Sequence, residues 1–273
     1  MATLGGYGGY GRVPESVANA CSQIASQAGT ETLELYHKVV LATLIGRFDG
    51  HINGRRVPDS VLAQYEREFR RILTQFETSK VGFYVHGNDL FNKDLAICRG
   101  KLLPCGAQLV DVHSGVPRSL AVCGGLVQFV RVLAFFGQCM RGFRPLYEMH
   151  LDPRSLAQFT AVGWDRCYLR IADLLEANPK VLGVMGASWW FDPEVERITP
   201  NISYLRQRPL GAGAGVFRFG SDRAAIGNAT KFSRVRKELY EQGRYLPTNY
   251  LMAWARRDLL DWARRARAEG LEA

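Results

Sequence analysis

Residues 146–192 constrain the fold more than any other stretch. The segment opens Leu146-Tyr147-Glu148-Met149-His150-Leu151-Asp152-Pro153 and closes Val181-Leu182-Gly183-Val184-Met185-Gly186-Ala187-Ser188-Trp189-Trp190-Phe191-Asp192. In the first run Glu148, His150 and Asp152 alternate with Tyr147, Met149 and Leu151, which predicts a strand with three ionisable groups on one face and apolar groups on the other. In the second segment residues 181–187 are apolar on both faces, as expected of a strand covered on both sides. Between them Trp164, Cys167, Tyr168, Ile171, Leu174 and Leu175 recur at helical spacing, with Asp165, Arg166, Arg170, Asp173 and Glu176 on other faces. Strand, helix, strand predicts a βαβ-like unit.

The flanking sequence predicts what surrounds that unit. Helix-start chemistry at Pro14-Glu15 with a stop at Gly29, a second helix from Thr30 and a third from Pro58-Asp59 give a helical N-terminal part over residues 14–80, after a flexible segment at 1–13. His37 lies on the apolar stripe of the second helix and is expected to be a core histidine. From residue 81 onward the main α+β domain, 81–273, begins. Strands are expected at 81–86, 94–99 and 107–113, a helix at 126–136, further strands at 202–206, 215–219 and 250–254, and helices at 231–242 and 256–269. Short connections favour antiparallel pairing, so the expected class is α+β, or mixed α/β: helices packed on a largely antiparallel central sheet.

A chain of 273 residues with 47% hydrophobic and 22% charged residues can bury a full core. The net charge of +9 favours anionic partners. The six cysteines form no CxxC pair, which argues against a zinc knuckle and for thiols in a reducing, cytoplasmic setting. The longest apolar run, residues 120–140, is interrupted by Gly124-Gly125, Gln128, Arg131 and Gln138. It predicts a buried or partner-facing helix and no transmembrane segment.

Candidate chemistry follows from position. Glu148, His150 and Asp152 offer a carboxylate and an imidazole near enough to share a small-molecule substrate, with general acid or base work as the role. Ser188, Trp189, Trp190 and Asp192 follow the most apolar strand, where ligands of α/β sheets bind, and two tryptophans there can wall a substrate pocket. His150 and Asp152, with His113 or His86 as a third ligand, have the composition of a metal site. Lys231, Arg234, Arg236, Lys237, Arg256, Arg257, Arg264 and Arg265 would serve a non-enzymatic nucleic-acid-binding or scaffold protein. No Walker, Rossmann or Gly-x-Ser-x-Gly motif is present.

Arg208-Pro209-Leu210-Gly211-Ala212-Gly213 resembles the pyrophosphate-binding loop of the GCN5-related N-acetyltransferase superfamily, arginine or glutamine, x, x, glycine, x, glycine. The order of elements over residues 81–219 is also similar: antiparallel strands, a strand bearing a carboxylate, a helix and another strand. The resemblance implies an acyltransferase that moves an acyl group from a CoA-type donor to an amine. It implies donor phosphates at Arg208, Gly211 and Gly213, an acceptor pocket shaped by Trp189 and Trp190, and Glu148 or His150 taking the amine proton.

Overall fold

The computed structural model describes residues 10, 15–49, 51–52 and 55–273, apart from the side chains of 51, 52, 55, 112 and 113. The helices are α1 (Glu15–Ala28), α2 (Thr30–Gly46), α3 (Asp59–Thr78), α4 (Asp89–Cys98), α5 (Gly125–Ala134), α6 (Ala161–Ala177), α7 (Pro193–Ile198), α8 (Tyr204–Gly211), α9 (Arg223–Thr230), α10 (Arg234–Glu241) and α11 (Arg256–Ala268). The strands are β1 (His51–Ile52), β2 (Arg55–Arg56), β3 (Leu102–Pro104), β4 (Leu109–Ser114), β5 (Leu146–His150), β6 (Gly183–Ser188), β7 (Gly215–Gly220) and β8 (Asn249–Ala255).

Six of these strands form one sheet in the order β3-β4-β5-β6-β8-β7. All neighbours are antiparallel except β5 and β6, which α6 connects as a parallel pair. The class is therefore α+β, with the expected βαβ unit at its centre. A helix is what such a crossover needs, because parallel neighbours cannot be joined by a tight turn.

Alternation along the strands divides the sheet into two apolar faces. Tyr147, Met149, Val184, Val216, Met252 and Trp254 pack with Val61 and Tyr65 of α3, Trp164, Tyr168 and Ile171 of α6, and Leu259 and Trp262 of α11. On the opposite face Leu146, Met185, Phe217, Leu251 and Ala253 meet Leu120 and the i, i+4 stripe Val132, Phe136 and Met140, carried by α5 and the π-helical turn Phe135–Cys139 that continues it. A third cluster joins Leu41 of α2, Ile72 of α3, and Tyr84, Phe91 and Cys98 around α4. His37 is buried, its Nε2 3.7 Å from Cys21 Sγ. Burial lowers its pKa, so the imidazole is a neutral core group.

Three expected strands are not strands. Residues 94–99 lie at the end of α4, because the Asn88 side chain accepts from the N–H groups of Leu90 and Phe91 and so starts a helix. Residues 81–86 form turns, with Val81 exposed. Residues 202–206 close a short 3-10 turn begun by Pro200 and enter α8. A short run with apolar positions satisfies either period, and here the caps decide. On α6, Asp165 and Arg170 were expected away from the core yet are buried, because α3, α8 and α11 cover the flanks of the helix.

Candidate active site

The parallel ladder between β5 and β6 holds over Tyr147 with Val184 and Glu148 with Met185. Both strands continue, β5 to His150 and β6 to Ser188, but no further pairing joins them among the described residues. Glu148 is thus the last paired residue before the strands part. Beyond it the backbones are not paired to each other, and the Met149 side chain lies against Gly186, where an added Cβ would meet its Cε at 2.8 Å. Gly115, Pro117, Glu148, Met185, Gly186, Ala187 and Leu251 line a narrow cleft at this place.

Glu148 is buried on the sheet face that carries Leu146 and Met185. Ser114 donates its hydroxyl to Glu148 Oε2 at 2.6 Å, placed there by an irregularity of β4 between Asp111 and Ser114. Asp111, also buried, is directly opposite Glu148 in the antiparallel ladder. Burial, more than any other cause, pushes the Glu148 carboxyl up to about 7; the Ser114 hydrogen bond pulls it down and the Asp111 charge adds to the rise. A carboxyl with its midpoint there exchanges a proton readily at neutral pH.

His150 lies at the end of the same strand, with the Tyr10 ring edge-on at 5.1 Å. Its Nε2 is buried without a hydrogen-bond partner. Burial is the main cause lowering its pKa to about 4, and the Lys93 charge helps, against the opposing pull of Asp111 and Asp89. At neutral pH it is an uncharged imidazole.

Asp152 does not continue this face. The strand ends at His150, and Asp152 caps the 3-10 turn Pro153–Gln158, accepting from the backbone N–H and the guanidinium of Arg154. Arg154 also binds Asp94 at 2.8 Å, and Asp94 binds Arg71 at 2.5 Å. Burial pushes the Asp152 carboxyl up, but the hydrogen bonds and charge of Arg154 outweigh it and hold the carboxyl below the usual carboxylate range; Asp152 belongs to an ionic network tying the β5 end to α3 and α4.

Ser188, Trp189, Trp190 and Asp192 follow the cleft residues Gly186 and Ala187 directly. Ser188 ends β6 opposite Tyr250. Trp189 carries the Arg236 guanidinium over its ring at 4.4 Å. Trp190 packs edge-on against Phe159 and Trp164, making an aromatic wall beside the start of α6. Asp192 caps α7 by accepting from the Glu194 N–H at 3.1 Å. Arg208 is inside α8 and paired with Asp165 at 2.8 Å, and a side chain at Gly213 would meet the Asp258 carboxylate at 3.3 Å. The arginine–glycine segment therefore ends one helix and leads into β7, between two carboxylates. The helix that follows β5 is α6, where Thr160 Oγ1 accepts from the Gly163 N–H and the N–H groups of Ala161 and Val162 precede the first intrahelical bonds.

Among the described residues no group of three His, Cys, Asp or Glu is placed to hold a metal ion. The His113 side chain lies outside the described residues, and His86 is exposed. The basic C-terminal residues are largely engaged: Arg264 with Asp261, Arg257 with Asp258 at 2.9 Å, Arg234 with Glu238 at 2.6 Å, and Arg256 with the Leu175 carbonyl. Sequence spacing pairs Asp261 with Arg265; the structure pairs it with Arg264.

No protein-family model matches the sequence, and no curated protein matches it. Two solved structures align with 90% of this chain and 85% of their own. One is an acyltransferase in complex with CoA and 10C-teicoplanin, at 13% identity and a TM-score of 0.39. The other is an acyltransferase in complex with decanoyl-CoA, at 12% identity and a TM-score of 0.38. These scores lie below the level at which a likeness identifies a fold.

Proposed function

We propose that the protein is an acyltransferase that uses a CoA-type thioester donor and an amine acceptor, with Glu148 as general base. The observation that carries this reading is a buried carboxyl poised near neutrality at the point where two parallel strands part. An extended donor arm rich in amides pairs with the backbone that β5 and β6 leave unpaired beyond Glu148, as an added strand would, with the Met149 side chain moving off Gly186 to admit it. Its diphosphate then meets the start of α6, where unpaired N–H groups and the helix dipole favour negative charge. Trp189 and Trp190 bound the acceptor side. In the reaction Glu148 takes a proton as the amine nitrogen attacks the thioester carbonyl. The C–N bond forms, the C–S bond breaks, and the proton is available to the departing thiolate. His150, uncharged at neutral pH, supports this site as a neutral neighbour that leaves the substrate amine unrepelled.

Calorimetry with CoA tests the donor assignment. Val162 is exposed at the start of α6, and Val162→Glu puts a carboxylate where a helix tolerates it but a phosphate does not. CoA binding should weaken about tenfold or more in this variant and persist in Arg208→Ala. The reverse pattern would return the phosphates to Arg208, Gly211 and Gly213. Absence of binding by the unmodified protein would remove the donor and with it the acyltransferase reading.

A further inference from the structure

Helix α5 is turned with its apolar side outward. Its buried residues are Gln128 and Val132, whereas Leu126 is 78% exposed, Val127 75%, Val130 58% and Leu133 46%. Gln128 explains the orientation. Its side-chain amide donates to the Arg218 carbonyl at 2.7 Å and accepts from the Arg218 N–H at 2.8 Å, so it completes the free edge of β7 as a neighbouring strand would. It also donates to the Leu120 carbonyl at 2.9 Å. With this polar residue fixed inward beside Val132, the helix presents Leu126, Val127, Val130 and Leu133 to the outside. Val122 before the helix, at 70% exposure, and Phe143 after it, at 43%, extend the surface. The side chains expose several hundred Å², roughly the largest patch a monomeric protein carries.

The charges carried by this stretch of chain are all of one sign. Between Asp111 and Glu148 the sequence contains Arg118, Arg131, Arg141 and Arg144 and no aspartate or glutamate. All four arginines are exposed, and Arg218 of the adjoining edge is exposed with its guanidinium on the Cys123 carbonyl. A second copy of the chain would bring two such arginine sets together across a symmetric interface, which like-charge repulsion opposes. An anionic lipid surface complements both features at once, taking the leucines and valines into the boundary of the acyl chains and the arginines among the headgroups. Among the described residues no helix is long and apolar enough to cross a membrane. The contact is therefore one of lying on a surface.

We infer that residues 118–144, centred on the outward face of α5, form a docking surface for an anionic lipid bilayer. This inference stands independently of the acyltransferase reading, since it uses no residue assigned to the chemistry.

The test is co-sedimentation of the full chain with vesicles of phosphatidylcholine alone and of phosphatidylcholine mixed with phosphatidylglycerol. Binding to the mixed vesicles, weakened by salt and at least about tenfold weaker on phosphatidylcholine alone, is the expected result. The triple substitution Leu126→Ser, Val127→Ser and Val130→Ser should reduce binding about tenfold or more while the circular dichroism spectrum stays unchanged. Because these residues are exposed, the fold does not depend on them. Leu126→Trp gives a second readout, a blue-shifted emission on adding the anionic vesicles. No binding to anionic vesicles, equal binding by the triple variant, or a dimer in sedimentation velocity that the triple variant dissolves would each overturn the inference.

Discussion

Asp111 and Glu148 stand directly opposite each other across an antiparallel ladder, both buried and on one face of the sheet. Burial is the main cause that pushes the Glu148 carboxyl up to about 7; the Ser114 hydroxyl at 2.6 Å partly offsets it, and the charge of Asp111 adds a smaller rise. The arrangement keeps a proton-accepting group half loaded at neutral pH.

Acyl transfer should require the ionised form of Glu148, so kcat/KM is expected to rise with pH and level off above about 7. Glu148→Gln should lower the rate about a hundredfold or more and abolish that limb. Steady-state rates over a pH series check both; an unchanged limb in the variant would transfer the role to another group.

The stability of the fold should carry two opposing pH dependences. Glu148 has its folded pKa raised to about 7 from 4.5, so its contribution is full below 4.5 and is lost as pH rises through 7. His150 has its folded pKa lowered to about 4 from 6.5, so its contribution is full above 6.5 and is lost as pH falls toward 4. Each amounts to about 3 kcal/mol at its limit. Between about 4.5 and 6.5 the two cancel. Urea unfolding should show stability falling with rising pH in His150→Gln and rising with pH in Glu148→Gln, each relative to the unmodified protein. Parallel profiles for all three proteins would refute the assignment.

Ser114→Ala removes a hydrogen bond that favours the Glu148 carboxylate. The pH–rate limb should move upward by about one unit, with little change in the rate reached on the plateau. A limb that stays in place would mean that Ser114 does not govern the proton.

Asp94 is buried between the guanidinium groups of Arg71 and Arg154. Asp94→Ala leaves both cations without their shared partner and should cost about 3 kcal/mol in chemical denaturation. The pH–rate limb should not move, because this network anchors the end of β5 without touching Glu148. A shifted limb would show that Asp152 and Arg154 reach the chemistry after all.

The sequence alone determined the parts that repeat a clear period. The alternation at 146–152, the apolar run at 181–187 and the helical stripe between them specify β5, β6 and α6, since each must bury its apolar side against something. The same alternation singled out Glu148 and His150. It could not show that the strand stops at His150 and that Asp152 leaves the sheet, because a proline and an Asp side-chain cap end the strand two residues early. The resemblance of Arg208-Pro209-Leu210-Gly211-Ala212-Gly213 to a phosphate loop was legible as composition, but the Asp165 and Asp258 carboxylates that face it come from distant helices. Asp111 and Ser114 carried no signal of their own, since their meaning rests on a register and an irregularity between strands more than thirty residues apart. Only the tertiary structure decided where β5 and β6 part and which way α5 faces. Both depend on backbone hydrogen bonds that are made or left unmade between elements, and hydropathy along the chain does not encode them.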